Sequence, residues 1–272
     1  MEQSFYELFH MLYFSTAGSL KNPPLLLLHG FLGSHADFSQ IVSLLSKYFY
    51  CITPDLPGHG HTNTEPGHYT FLHTAKALLD LLDDLSISKT HILGYSMGGR
   101  IALYLACEFS DRVEKVILES ASPGLKTTTE RKLRQQQDDF TALRLLNSPF
   151  PDFLNQWYNN PLFTDLRQYP DIYAAMLKRR LENRPQEAAR ALCGLSIGRQ
   201  PSFWQRLALL DSPLLIIVGE LDQKFVAIGK EIRETCRQNQ PQATLLVFDQ
   251  CGHNLHLVAP KAYTNAVIKF LQ

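Results

Sequence analysis

Short apolar runs recur along the chain and predict buried strands. They are Leu25–Leu28, Tyr50–Thr53, His91–Gly94, Val113–Leu118, Leu214–Val218 and Thr244–Phe248. Each run is four to six residues long and unbroken, which is the pattern of a parallel sheet covered on both faces. Helical periodicity fills the intervals, over Ala36–Lys47, Phe71–Leu85, Gly98–Glu108, Val226–Gln238 and Pro260–Leu271. The alternation predicts an α/β fold with a mostly parallel, doubly wound sheet. Phe5–Ser15 could add an antiparallel edge hairpin.

This rhythm is interrupted between about Pro123 and Arg206, where the pattern is helical and shows no convincing strand. We expect residues 123–206 to form a helical cap, inserted after the sixth strand into a core of residues 1–122 and 207–272. The predicted cap holds thirteen Lys and Arg residues against eight Asp and Glu, a net charge of +5. Two interpretations stay open: scattered surface charge, or a cap that meets an anionic substrate.

Composition narrows the class of protein. With 45% hydrophobic and 19% charged residues, the 272-residue chain can bury a sizeable core. Its formal net charge of zero gives no reason to expect nucleic acid or a membrane as partner. The N-terminus lacks a signal-peptide pattern, and the five cysteines form no C-x-x-C pair. We therefore expect reduced thiols in a cytoplasmic protein, with no metal because the histidines lack ligand spacing.

A serine motif carries the first chemical signal. Gly94-Tyr95-Ser96-Met97-Gly98 matches G-x-S-x-G, directly after a predicted strand and directly before a predicted helix. In this context the motif is a nucleophile elbow, a tight turn that exposes the serine at the carboxyl edge of the sheet. The flanking glycines remove steric clashes at the turn. A chance match in a loop is disfavoured, because strand, elbow and helix follow in order.

Two further loops complete the predicted surroundings of Ser96. His29-Gly30-Phe31 ends the first core strand, and in such a fold the backbone N–H of Phe31 supplies half of an oxyanion hole. The N–H of Met97, directly after the serine, supplies the other half. Asp55, in Asp55-Leu-Pro-Gly58-His-Gly60, is expected to hold loops rather than to do chemistry.

Asp222 and His253 follow two later strands, which gives the order Ser, Asp, His along the chain. Asp222 would orient His253, and His253 would take the proton of Ser96. His256 is an alternative base, although it should lie one helical turn further into the wall. Glu220 is an alternative acid that still belongs to the end of its strand.

These motifs together resemble the α/β-hydrolase superfamily, and finer features resemble one family within it. That family is the 2-succinyl-6-hydroxy-2,4-cyclohexadiene-1-carboxylate synthases of menaquinone and phylloquinone biosynthesis. The matching segments lie in both core and cap: Gly94–Arg100, Ser122–Leu125, Glu130-Arg131 with Arg134, Trp157–Phe163, Gln200–Trp204, Asp222–Phe225 and Gly252–His256.

The resemblance implies an activity and a set of site residues. The family removes a ring proton from 2-succinyl-5-enolpyruvyl-6-hydroxy-3-cyclohexene-1-carboxylate, and pyruvate leaves. The implied catalytic triad is Ser96, Asp222 and His253. The implied substrate-binding residues are Tyr95, Arg100, Arg131, Arg134, Trp157, Arg180 and Lys224. Arg179 or Arg184 could take the place of Arg180.

The chemistry of the substrate agrees with this assignment. It carries three carboxylates, and the planar arginine fork binds a carboxylate through two hydrogen bonds. We therefore expect a cofactor-free lyase that acts on a small tricarboxylate, as a monomer or weak homo-oligomer. A carboxylesterase or carbon–carbon hydrolase with the same triad as covalent nucleophile is the main alternative. A catalytically silent ligand receptor is a further one, which a complete triad argues against.

Overall fold

A seven-stranded sheet forms the centre of the protein. The computed structural model describes residues 12–237 and 243–272. Its strands follow the order β1-β3-β2-β4-β5-β6-β7. Their bounds are β1 Phe14–Ala17, β2 Pro24–Leu28, β3 Tyr50–Pro54, β4 Thr90–Tyr95, β5 Val113–Glu119, β6 Leu214–Gly219 and β7 Ala243–Phe248. Only β1 runs antiparallel to its neighbour, β3; the other pairs are parallel. The predicted fold class is confirmed.

The sheet is covered on both faces, which explains its unbroken apolar strands. The flanking helices are α1 Ser39–Leu45, α2 Phe71–Asp84, α3 Met97–Glu108, α8 Gln223–Arg237, α9 Leu255–Val258 and α10 Pro260–Leu271. Leu26 and Leu28 of β2 join the apolar cluster of α2, α3 and α8. Leu25 and Leu27 join the opposite cluster, with α1 and α10. Successive strand residues point to opposite faces, so every position of β2 must be apolar.

The predicted elements differ from the observed ones mainly at their ends. The helix expected over Ala36–Lys47 opens as a 3-10 turn, His35–Phe38, and ends at Leu45. In the proposed N-terminal hairpin, β1 forms the edge strand, whereas Phe5–Met11 lies outside the described residues. Gln238, the expected end of α8, also lies outside them. No helix within residues 12–237 and 243–272 has the length and hydropathy needed to span a membrane.

Residues 123–206, which we call the cap, hold four helices. These are α4 Thr128–Asn147, α5 Phe150–Trp157, α6 Pro170–Arg180 and α7 Pro185–Gly194, with a 3-10 segment over Pro161–Gln168. The cap follows β5, the fifth of the described strands. The sequence predicted that it would follow a sixth strand. It has an apolar cluster of its own, built around Phe153, Met176 and Leu192. This cluster also takes in Leu32 and Leu257, so the cap packs on the loop after β2 and on α9.

Candidate active site

Ser96 lies in a sharp turn between β4 and α3. Its backbone angles are φ 50° and ψ −106°, a region that L-residues rarely adopt. The turn needs glycine on both sides, because a Cβ on Gly94 would lie 2.4 Å from the carbonyl oxygen of Gly98. A Cβ on Gly98 would lie 2.0 Å from the carbonyl oxygen of Leu28. Close packing of strand and helix therefore holds Ser96 at the carboxyl edge of the sheet.

The structure brings Ser96, His253 and Asp222 into one hydrogen-bonded chain. Nδ1 of His253 lies 2.6 Å from Oδ2 of Asp222. Its Nε2 lies 3.1 Å from Oγ of Ser96. Asp222 follows β6 and His253 follows β7, so parallel strands bring both to the edge where Ser96 lies. His253 is buried and Asp222 nearly so. In this geometry His253 can accept the proton of Ser96 while Asp222 orients the ring.

Aromatic rings surround the imidazole of His253. The ring centroids of Tyr95, Phe225 and Phe163 lie 5.4, 4.8 and 5.8 Å from that of His253. Tyr95 and Phe225 belong to the core, whereas Phe163 belongs to the cap. The cap thus contributes directly to the packing of this histidine.

The alternative acid and base lie elsewhere. His256 is buried, and its Nδ1 donates to the Glu119 carboxylate at 2.8 Å. Glu220 is exposed, and its carboxylate accepts a hydrogen bond from the backbone N–H of Gln250. Neither residue lines the cavity described below. Asp55 accepts hydrogen bonds from the backbone of His35 and His61, which ties two loops together.

The predicted oxyanion-hole residues, Phe31 and Met97, face the same space as Ser96. Both line the cavity next to the serine. Met97 is the first residue of α3, where backbone N–H groups have no partner inside the helix. A Cβ on Gly30 would lie 2.6 Å from the Tyr95 ring, so the loop that carries Phe31 packs tightly against the elbow.

A cavity of about 690 Å³ opens between core and cap, beside Ser96. Core loops supply Phe31, Tyr95 and Met97, whereas the cap supplies Arg134, Trp157 and Phe163 among others. The volume falls in the usual range for small-molecule sites, about 300–1,000 Å³. A substrate in this cavity would contact both parts of the chain.

Positive side chains line one part of this cavity. Arg100 donates to the carbonyl oxygen of Leu195 at 2.8 Å, and Arg134 pairs with Asp138 at 2.8 Å. Lys224 is exposed and stands over the Phe225 ring. Within residues 12–237 and 243–272, neither Arg100 nor Lys224 has a carboxylate as ion-pair partner. These two cations are therefore available to an anionic ligand.

Electrostatics agree with a site prepared for negative charge. Burial and the neighbouring Arg134 lower the pKa of Arg100 to about 9. Partial desolvation and the neighbouring Arg134 also lower the pKa of Lys224. A bound carboxylate would relieve the unfavourable proximity of these like charges.

The other predicted arginines occupy different surroundings. Arg180 lines the cavity, but its guanidinium is paired with Asp37 at 2.7 Å and also donates to the Tyr158 hydroxyl. Arg179 pairs with Asp37 too, at 3.1 Å. Arg184 instead bonds to the loop that contains Thr62. Of these three arginines, only Arg180 reaches the cavity wall.

Of the predicted substrate-binding residues, Arg131 alone lies outside the cavity lining. It lies one helical turn before Arg134 on α4, and its guanidinium donates to Thr128 at 3.3 Å. Residues three positions apart share a helix face but lie about 4.5 Å apart along the axis, so Arg131 is displaced along α4 from the cavity. Arg131 therefore has no contact with the site in this conformation.

Tyr95 and Trp157 both line the cavity. The Tyr95 hydroxyl accepts a hydrogen bond from Asn254 at 2.6 Å. Burial raises the pKa of Tyr95 well above its ordinary value, so the hydroxyl keeps its proton at neutral pH. Trp157 packs edge-on to Phe31, with 5.2 Å between ring centroids. The predicted aromatic pair thus frames the space above Ser96.

Sequence reasoning missed three polar residues in or behind the cavity wall. Asp37 and Asp165 lie in 3-10 segments, and no motif marks either acid. Asp165 lines the cavity, whereas Asp37 pairs with Arg180 of the wall. Gln200 belongs to a segment noted in the sequence, and its side chain accepts a hydrogen bond from Arg100 at 3.4 Å. Among the described residues, no group of three or more His, Cys, Asp or Glu side chains could hold a metal ion.

Comparison with known proteins agrees with this geometry. The model of the alpha/beta hydrolase fold family matches residues 23–260, and the chain belongs to that family. It is 32% identical over 250 residues to the 2-succinyl-6-hydroxy-2,4-cyclohexadiene-1-carboxylate synthase of Pectobacterium atrosepticum, covering 92% of this chain and 94% of that protein. Within the fold family, the chain therefore belongs to the 2-succinyl-6-hydroxy-2,4-cyclohexadiene-1-carboxylate synthases.

Two further relatives extend the comparison. The solved structure of MenH from S. aureus superposes with a TM-score of 0.89 at 30% identity, covering 96% of this chain and 98% of that one. Protein PHYLLO, chloroplastic, of Arabidopsis thaliana is 34% identical over 259 residues. That match covers 90% of this chain but spans 15% of the length of PHYLLO.

Proposed function

We propose that the protein is a lyase of menaquinone or phylloquinone biosynthesis. It eliminates pyruvate from 2-succinyl-5-enolpyruvyl-6-hydroxy-3-cyclohexene-1-carboxylate and releases 2-succinyl-6-hydroxy-2,4-cyclohexadiene-1-carboxylate. One observation carries the proposal: Arg100 and Lys224, without carboxylate partners among the described residues, line the cavity in which Ser96 meets His253. Relatives that bear the name of this synthase align with more than nine-tenths of the chain.

The triad acts as a base in this proposal. His253 takes the proton of Ser96 while Ser96 takes a proton from the substrate ring, and Asp222 stabilises the imidazolium that forms. The electrons of the broken C–H bond shift through the ring and expel the enolpyruvyl group, which takes up a proton and leaves as pyruvate. The N–H groups of Phe31 and Met97 and the cavity cations stabilise the negative charge that builds up.

A carboxylesterase or carbon–carbon hydrolase is the second candidate, because the same triad can attack a carbonyl carbon covalently. The elbow geometry suits both reactions. The cavity lining favours the lyase, since unpaired cations fit a tricarboxylate and are poorly matched to a neutral ester.

The direct test is incubation of the purified protein with the enolpyruvyl substrate, with pyruvate measured by coupled oxidation of NADH. We expect pyruvate release with the wild-type protein and almost none with Ser96→Ala. p-Nitrophenyl acetate serves as the comparison substrate. Rapid ester hydrolysis without pyruvate release would replace the lyase by the esterase.

The proposal extends to the location, ligands and assembly of the protein. The protein works in the cytoplasm on a small tricarboxylate, without nucleic acid, membrane or cofactor, as a monomer or weak homo-oligomer. Its buried free thiols, such as Cys51 and Cys236, suit a reducing compartment. Residues 123–206 act as the cap that completes the binding site, and the rest of the chain is the catalytic core. Cell fractionation and light scattering test location and assembly.

A further inference from the structure

Asp165 is a buried acid in the wall of the active-site cavity. It lies in the 3-10 segment Pro161–Gln168 of the cap, with 8% of its surface exposed. The same segment carries Phe163, whose ring packs against His253. Asp165 therefore approaches the catalytic histidine from the cap side, opposite to Asp222.

The carboxyl group of Asp165 is held at the backbone that precedes His253. A Cβ on Gly252 would lie 2.2 Å from its Cγ, so only glycine permits this contact. The carboxyl group therefore packs directly against the Gly252 backbone. Its Oδ2 is buried and has no hydrogen-bond partner among the described residues. One side of the carboxyl group is thus fixed, and one oxygen is left unsatisfied.

Asp165 differs from the other acids of the cavity. Asp138 pairs with Arg134 and accepts a hydrogen bond from Ser196. Asp222 is bonded to His253. Asp165 forms no ion pair with a Lys or Arg within the described part of the chain. An ionised and unpaired carboxylate would repel a substrate with three carboxylates, whereas a protonated one would donate a hydrogen bond to it.

We propose that Asp165 binds the substrate as a neutral carboxylic acid, donating its proton in a hydrogen bond to a substrate carboxylate. The inference rests on the proposed function, because it needs an anionic substrate in this cavity. Asp165 lines the cavity, so its carboxyl group lies within reach of a carboxylate bound there. Asp165 would then be a specificity-determining residue supplied by the cap.

The surroundings of Asp165 support a protonated form. Burial raises its pKa above the ordinary value, although the amide of Gly252 and the charge of His253 act in the opposite direction. The titratable groups that face it from the core are His253 and Cys251. On its own segment, Arg167 is exposed. A bound carboxylate would favour the protonated form further, so binding of substrate is coupled to uptake of a proton.

The test compares two neutral substitutions, one that keeps a hydrogen-bond donor and one that removes it. Asp165→Asn keeps a neutral N–H donor of similar shape, and Asp165→Ala removes it. Binding of the enolpyruvyl substrate is measured by calorimetry from acidic to alkaline pH, in a Ser96→Ala background that prevents turnover. Asp171→Asn, at an exposed position of α6, is the matched control.

We expect Asp165→Asn to bind as tightly as the parent at acidic pH and to keep that affinity as the pH rises. The parent should lose affinity over the same range, and Asp165→Ala should bind about tenfold more weakly or worse at acidic pH. Tighter binding by Asp165→Ala, or equal pH profiles for the parent and Asp165→Asn, would overturn the proposal. Pyruvate release by the wild-type protein, measured separately, distinguishes failure of this inference from failure of the proposed function.

Discussion

At the scale of single residues, the backbone of Ser96 is strained, and neighbouring elements stabilise its conformation. Its positive φ of 50° costs of order 1–3 kcal/mol for a non-glycine residue. The Ser96 N–H donates to the carbonyl oxygen of Glu119 at 2.8 Å, which links the elbow to β5. The neighbouring strand and helix thus hold a conformation that Ser96 would not adopt alone. The hydroxyl is delivered to His253 without any need for the loop to move.

The first prediction concerns the triad. We expect Ser96→Ala, Asp222→Asn and His253→Ala each to lower kcat by about 10²–10⁴-fold or more. Each substitution interrupts the same hydrogen-bonded chain of serine, histidine and aspartate. His256→Ala should have a milder effect on kcat, since His256 is bonded to Glu119 and lies away from the cavity. Steady-state kinetics of pyruvate release measure these changes in kcat, and circular dichroism verifies that each variant is folded. A well-folded triad variant with nearly normal turnover would remove that residue from the mechanism.

The second prediction separates two arginines of the same charge. Arg100→Ala should lower kcat/KM for the enolpyruvyl substrate about tenfold or more, because a hydrogen bond to a charged group contributes about 1.5–3 kcal/mol. Arg131→Ala should have a smaller effect, since its guanidinium lies outside the cavity lining. Slow hydrolysis of a neutral ester should stay almost unchanged in both variants. If Arg131→Ala proved as harmful as Arg100→Ala, the cap would have to bring α4 inwards during turnover.

At the scale of elements, a buried ion pair joins the cap to the core. Asp37 lies in the turn before α1, and Arg180 is the last residue of α6. The two are 3% and 2% exposed, which excludes the solvent screening that weakens surface pairs. Burial alone would raise the pKa of Asp37, but Arg180 and Arg179 hold it well below its ordinary value. The pair is therefore ionised at neutral pH and fixes α6 above the sheet.

The third prediction follows from that pair. Asp37→Asn should lower the free energy of unfolding by about 3–5 kcal/mol, because it leaves the Arg180 guanidinium buried without its counter-charge. A carboxylate with a depressed pKa stabilises the fold fully above its unfolded pKa, about 4. The difference between wild type and variant should therefore shrink as the pH falls below that value. Denaturant unfolding at neutral and acidic pH measures both effects.

Arg179→Ala is the matched control for this prediction. Its guanidinium contacts the same carboxylate at 3.1 Å, but it is partly exposed and Arg180 remains in place. We expect a loss of about 1 kcal/mol or less. Equal denaturant midpoints for Asp37→Asn and the wild type would mean that the ion pair does not hold the cap in place.

The strands, and the placement of Ser96, Asp222 and His253 after strand ends, could be predicted because their signals are local. The strands before Ser96 and Asp222 are buried throughout, and the edge strand before His253 still carries the apolar run Leu245–Phe248. The pairing of Asp37 with Arg180 joins residues 143 positions apart, and no local pattern specifies it. Asp165 meets Gly252 through the fold of the cap for the same reason. Arg131 was placed at the site by resemblance alone, and it lies one turn further along α4 than Arg134, outside the cavity lining.

At the scale of the whole molecule, the cavity exists only because the cap lies over the carboxyl edge of the sheet. The core contributes Ser96, Met97 and Arg100, and the cap contributes Arg134 and Trp157. The triad residues come from the core, whereas the wall of the cavity comes from both the core and the cap. One elbow geometry can thus serve different reactions, because the surrounding wall can differ.

The last prediction decides between these reactions. If Ser96 acts as a base, no covalent intermediate forms on the natural substrate, whereas a nucleophilic Ser96 must carry part of the substrate during turnover. The cavity cations favour the base mechanism, because they fit a polyanionic substrate. Elimination of pyruvate from that substrate transfers no acyl group to Ser96. Intact-protein mass spectrometry of rapidly quenched turnover should show the unmodified mass alone.

The covalent control is the same protein treated with p-nitrophenyl acetate, which should acylate Ser96 slowly if the elbow is intact. A substrate-derived mass on Ser96 during pyruvate release would instead show that the triad has kept the mechanism of a hydrolase.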